Sequence, residues 1–132
     1  MSCVFCPPNW DNLDRVPLPS DRWSPEWFAV VNPLDPVTPG HVLVISAVHT
    51  KDAADSDTDP EVAPSLMDLA ADYVRVKGIQ ANIITSIGPL ATQTVFHTHV
   101  HVVPRRENDG LPLPWTPQQA RPKPPNYGVI AP

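Results

Sequence analysis

The chain has 132 residues, 42% hydrophobic and 17% charged, which suits one domain with one core and excludes a disordered tail or a coiled coil. Nine Lys and Arg against fourteen Asp and Glu give a net charge of -5. That balance disfavours a binder of nucleic-acid polymer, yet leaves room for a local site that takes one small nucleotide.

Eight of the nineteen prolines fall in residues 1–40 and eight in 104–132, so regular structure is expected mainly between them. Residues 1–26 hold no periodic run and read as loop. Met1 to Cys6 lacks the basic and apolar regions of a signal peptide, and no apolar stretch approaches the ~20 residues of a membrane span. The expected location is cytoplasmic. There the C-x-x-C of Cys3 and Cys6 reads as a metal site or a redox pair, in preference to a structural disulfide.

Trp27–Val31 is aromatic and β-branched and predicts a strand that ends at Asn32-Pro33. A proline-rich loop leads to a second strand, His41–Ile45, expected to pair back on the first. Ala47–Pro60 reads as a loop with an acidic, solvated stretch. Glu61–Lys77 is the convincing helix: Val62, Leu66, Leu69, Ala70, Tyr73 and Val76 follow helical spacing, and Gly78 is a natural stop. Ala81–Thr85 predicts a strand, Ser86–Gln93 a turn, and Thr94–Val103 the final strand. The order β-β-α-β-β points to an α+β domain, an antiparallel sheet with one helix on a face. Residues 104–132 read as an extended tail.

The densest chemical signal is His97, His99 and His101. On a strand these alternate residues share a face, and Thr98, Val100 and Val102 take the other. Three readings compete: satisfied structural histidines, one metal held by all three, or a division in which one binds a structural zinc and another is a nucleophile. The remaining residues favour the division. Cys3 and Cys6 need two more ligands for a closed tetrahedral zinc, and His49 and His97 could supply them.

The His-x-His-x-His row with its Gln93-Thr94-Val95 lead-in resembles the histidine triad family of nucleotide hydrolases and transferases. Pro39-Gly40-His41 to Ile45, Phe28 to Asn32, and Cys3-Val-Phe-Cys6 extend the resemblance over roughly residues 1–106, with 107–132 as an extended Pro-rich tail. It implies a five-stranded-type antiparallel sheet with one main helix. It also implies a reaction in which His99 attacks the α-phosphorus of a dinucleoside polyphosphate or nucleoside phosphoramidate, forming a nucleotidyl-histidine that water cleaves. His101 and His41 would flank the phosphate. Gln93 and Thr94 would bond phosphate and leaving group, beside Ser86, which stands where members usually carry Asn or Gln. Asn32 would grip the ribose, and Phe5, Phe28 and Val30 would offer apolar contacts to the base. The loop from Asn32 to His41 is one residue longer than in the members compared. Trp115 resembles a C-terminal Trp of some members but reads more simply as a packing residue. Cys3, Cys6, His49 and His97 would hold a structural zinc, with no organic cofactor. The resemblance further implies a homodimer to which the helix contributes. The alternatives are a nucleotide-binding module without turnover, or a zinc-dependent hydrolase with the three histidines as ligands.

Overall fold

The computed structural model describes residues 3–119. Its strands are β1 (Arg15–Val16), β2 (Phe28–Val31), β3 (Val42–Ser46), β4 (Ala81–Ile84) and β5 (His99–Pro104), with helices α1 (Val62–Lys77) and α2 (Thr116–Gln119). The five strands form one antiparallel sheet in the order β1-β2-β3-β5-β4. This is the α+β architecture expected from the element order. Among the described residues, no helix is long and apolar enough to cross a membrane.

The two faces of the sheet have different coverings. Val30, Val42, Val44, Val100 and Val102 pack against Val62, Leu66, Leu69, Ala70 and Tyr73 of α1. Leu66 and Leu69 are fully buried there, each worth roughly 1.5–3 kcal/mol. Ala29, Val31, Leu43 and Ile45 face the other way, toward Phe5 and Trp10 of the N-terminal segment. α1 ends where the sequence indicates: Gly78 takes a left-handed conformation at φ 65°, and its N–H reaches the carbonyls of Val74 and Arg75.

Three expectations need correction. Residues 1–26 are not all loop, because Pro7–Asn12 forms a 3-10 helix and β1 pairs with Val30 and Val31 at the sheet edge. Pro7 and Pro8 suit that helix start, where the N–H groups they lack have no partner to find. The last strand begins at His99, not Thr94. The alternating pattern of residues 94–98 does not enter the ladder, since the Thr98 N–H is taken by the Thr50 carbonyl at 2.9 Å. The tail is not extended throughout: Thr116–Gln119 makes one helical turn, and residues 120–132 lie outside the described residues. Trp115, just before that turn, is half-buried.

One buried carboxylate ties the proline-rich start to the helix. Asp72 of α1 accepts from Trp23 Nε1 at 2.9 Å and from Ser20 Oγ at 3.0 Å, and it pairs with Arg75. The Trp23 hydrogen bond above all holds its carboxyl below the usual carboxylate range.

Candidate active site

Four predicted ligands converge. Cys3, Cys6, His49 and His97 each offer a ligand atom, all lying within 4.8 Å of one another. Cys3 Sγ and Cys6 Sγ stand 3.5 Å and 3.6 Å from His97 Nδ1, Cys6 Sγ is 3.4 Å from His49 Nδ1, and the two nitrogens are 3.1 Å apart. A tetrahedral zinc with Zn–S about 2.3 Å and Zn–N about 2.0 Å sets ligand atoms about 3.3–3.8 Å apart. The three sulfur–nitrogen separations fall in that range and the two nitrogens stand slightly closer, so the donor set suits the ion. The tautomer fits as well. His97 donates its Nε2–H to the Ser46 carbonyl at 2.8 Å, which turns the bare Nδ1 toward the sulfurs. Burial pushes His97 down to about 4, keeping it a neutral ligand, and burial with the neighbouring Cys3 pushes the Cys6 thiol up. A dication relieves that second cost by binding thiolates. Among the described residues, the three-histidine set is not a metal cluster; His99 and His101 stand outside the group that comes together.

The other histidines form a relay set by the backbone. His99 and His101 pair with Ile45 and Leu43, which places them on the face opposite α1. The Val37 N–H donates to His41 Nδ1 at 3.1 Å, so His41 carries its proton on Nε2. That proton is donated to His101 Nδ1 at 2.9 Å, leaving the His101 proton on its own Nε2. His99 has the reverse arrangement. Its Nδ1–H donates to the His97 carbonyl at 2.8 Å, and its Nε2 lone pair is bare. One bare nitrogen therefore stands beside one N–H donor, with the two rings 5.3 Å apart.

The loop that supplies the Val37 N–H is itself clamped. The His41 N–H bonds the Thr38 carbonyl, and Arg106 reaches Thr38 Oγ1 at 3.1 Å and the Pro39 carbonyl at 2.9 Å. Gly40 turns the chain at φ 87°, where an added Cβ would meet Pro104 Cγ at 3.2 Å. Neither Arg106 nor Val37 carries a sequence motif that announces this role.

Burial lowers His41 and pushes His101 from 6.5 down to about 4, with the charges of His99 and His41 adding to the His101 shift. Between those two values the unfolded chain binds more protons than the folded one, so stability rises with pH there. It is lost as pH falls from 6.5 toward 4. His101→Asn is expected to flatten the slope of unfolding free energy against pH in that window, measured by urea denaturation at fixed zinc. An unchanged slope would contradict the assignment.

Two cavities flank His99. One, of about 760 Å³, is lined by Phe5, Val31, Leu43 and Val95 on its apolar side and by Asn32 and Asp14 among its polar groups. The other, of about 350 Å³, is lined by His41, His101, Ser86, Thr92, Asn82 and Arg105 among others. His99 touches a wall of each: Phe5 lies edge-on at 5.2 Å, and His101 is its other ring neighbour. Phe28 and Val30 do not join Phe5, because both pack on the α1 face; Val31 and Leu43 take that place. Gln93 is buried with its amide turned inward, accepting from the Gly88 N–H and donating to the Lys51 and Val95 carbonyls. Thr94, next to it, is exposed. Asp14 escaped the sequence reading altogether, since nothing in the local pattern of residues 1–26 marks it.

A fold with this sheet, His99 and His101 on the face opposite α1 and a C-x-x-C knuckle beside them defines a recognisable class. The HIT domain family model matches residues 24–108, more than half of the chain, and the protein belongs to that family. A zinc-bound histidine triad family protein from Mycobacterium smegmatis aligns with TM-score 0.69 and 35% identity, covering 85% of this chain and 81% of that one. Adenylylsulfatase HINT3 of Arabidopsis thaliana is 29% identical over 90% of this chain and 58% of its own length. Adenosine 5'-monophosphoramidase HNT1 of Saccharomyces cerevisiae is 27% identical over 89% of this chain and 72% of its own.

Proposed function

We propose that the protein is a nucleotide hydrolase or nucleotidyl transferase that attacks the α-phosphorus of its substrate with His99 Nε2. The observation that carries this reading is the bare Nε2 of His99, on a ring 5.3 Å from the ring of His101, whose proton sits on Nε2; the arrangement follows from the Val37 N–H and the His97 carbonyl. The names of two relatives support the substrate class: one acts on adenylyl sulfate, the other on adenosine 5'-monophosphoramidate.

In the first step the His99 lone pair forms an N–P bond while the bond from phosphorus to the leaving oxygen or nitrogen breaks. A leaving oxygen departs with the electron pair as an anion, and a leaving nitrogen takes that pair together with a proton from solvent and departs as the neutral amine. His101 Nε2–H donates to a phosphoryl oxygen, so charge that builds there meets a donor already in place. The substituted His99 ring is cationic, and its Nδ1–H still donates to the His97 carbonyl, which favours that charge. Water then attacks phosphorus and gives up a proton to solvent, and the N–P electron pair returns to Nε2, which leaves neutral His99 and a nucleoside monophosphate. Asn32 faces the ribose, with Phe5, Val31 and Leu43 against the base; Ser86 lines the smaller, leaving-group cavity.

The four-ligand set would hold zinc, which supplies a cross-link between the N-terminal knuckle and the loops carrying His49 and His97. The working unit is proposed to be a homodimer, as β4 is a sheet edge and Met67 and Val76 of α1 are exposed. The test of the activity is AMP release from adenosine 5'-monophosphoramidate, adenylyl sulfate and a dinucleoside polyphosphate. Release from at least one is expected. Tight AMP binding with no release from any would assign the chain to the non-catalytic alternative.

A further inference from the structure

We propose that Asp14 is the specificity-determining residue for the sugar, accepting hydrogen bonds from the vicinal hydroxyls of a ribose, while Asn32 orients it. The inference rests on the nucleotide reading and adds a residue to it. Two bonds fix Asp14 against the end of β2: the Asn32 N–H donates to the Asp14 carbonyl at 2.8 Å, and Asn32 Nδ2 donates to Asp14 Oδ2 at 3.1 Å. The amide that the sequence assigns to the sugar thus spends a donor on a carboxylate. Both side chains line the 760 Å³ cavity, whose apolar walls are Phe5, Val31, Leu43 and Val95.

The chemistry favours the carboxylate over the amide as the group that reads the sugar. A carboxylate accepts only and offers about four lone-pair positions, of which Asn32 occupies one. A vicinal diol brings two O–H donors, and an O–H bonded to an ionised acceptor is among the stronger neutral-to-charged pairs. The Asn32 amide offers a single accepting oxygen. The carboxylate also sets direction: it disfavours a phosphate at its own end, so the phosphate goes toward the neutral Nε2–H donor of His101. Asp14 comes from the segment before β1 and Asn32 from the end of β2, and the β1–β2 pairing brings them together.

The experiment measures binding of AMP and of 2',3'-dideoxy-AMP by isothermal titration to the zinc-loaded full chain and to Asp14→Asn, with zinc content and melting temperature recorded for both. The wild type is expected to bind AMP at least about tenfold more tightly than the dideoxy analogue, from the loss of charge-assisted hydrogen bonds. Asp14→Asn should weaken AMP by about the same factor, leave the analogue nearly unchanged, and so erase the preference. A preference that survives Asp14→Asn, or a wild type that shows none, overturns the assignment while the nucleotide reading stands. No binding of either nucleotide overturns both. If Asp14→Asn fails to fold, Asp14→Glu, which keeps the charge, is expected to retain a preference that Asp14→Ser loses; equal preferences in those two also overturn it.

Discussion

His99→Ala is expected to lower turnover by a factor on the order of 10⁴ or more, the scale seen when a covalent nucleophile is removed. The same variant should keep its zinc and its melting temperature. His99 lies outside the ligand set of Cys3, Cys6, His49 and His97, and its ring is only half-buried. What the substitution removes is one lone pair and the His97 carbonyl's partner at 2.8 Å. Loss of turnover together with loss of metal would point instead to a structural role for the ring. Turnover near the wild-type level would remove His99 from the reaction.

Stripping the metal is expected to act on stability first. The segment from Cys3 to Asp14 holds to the sheet through the packing of Phe5, Trp10 and Leu13, and the Trp10 Nε1–H bond to the Phe5 carbonyl at 2.8 Å braces the segment internally. Metal binding that exists only in the folded state contributes directly to folding free energy. Chelation or Cys3→Ser should therefore cost about 3 kcal/mol or more, a fall of roughly 10 °C in melting temperature for a domain of this size. Phe5 sits between the two cysteines and walls the larger cavity, so loss of the knuckle should raise KM more than it lowers kcat. Melting curves and steady-state kinetics with and without chelator test this. A kcat that vanishes with zinc and returns with other divalent ions would instead support the metal-hydrolase alternative.

Much of this fold is legible in the sequence where the pattern is continuous. β2 is an apolar run that stops at Asn32-Pro33, β3 is apolar from Val42 to Ile45 after Gly40-His41, and α1 has both its spacing and its Gly78 stop. The metal set is legible because Cys and His are scarce in this chain, leaving few combinations. What escapes depends on partners distant in sequence. Residues 94–98 alternate like a strand, but Thr98 bonds Thr50 and not a neighbouring strand. Every residue from Trp27 to Val31 is apolar, so only the register with β3 decides that Ala29 and Val31, and not Phe28 and Val30, face the site. β1 has two residues, too few for any periodicity. The relay that sets the tautomers starts from a backbone N–H, which no side-chain pattern records.

The most direct measurement is to mix the protein with a substrate carrying label on the α-phosphate, quench within the first turnover, and locate the label by peptide mapping. Acid-labile label on His99, absent from His99→Ala, is the predicted result. Steady release of labelled monophosphate with no label on His99 at any quench time, under conditions that preserve phosphohistidine, would contradict the covalent mechanism.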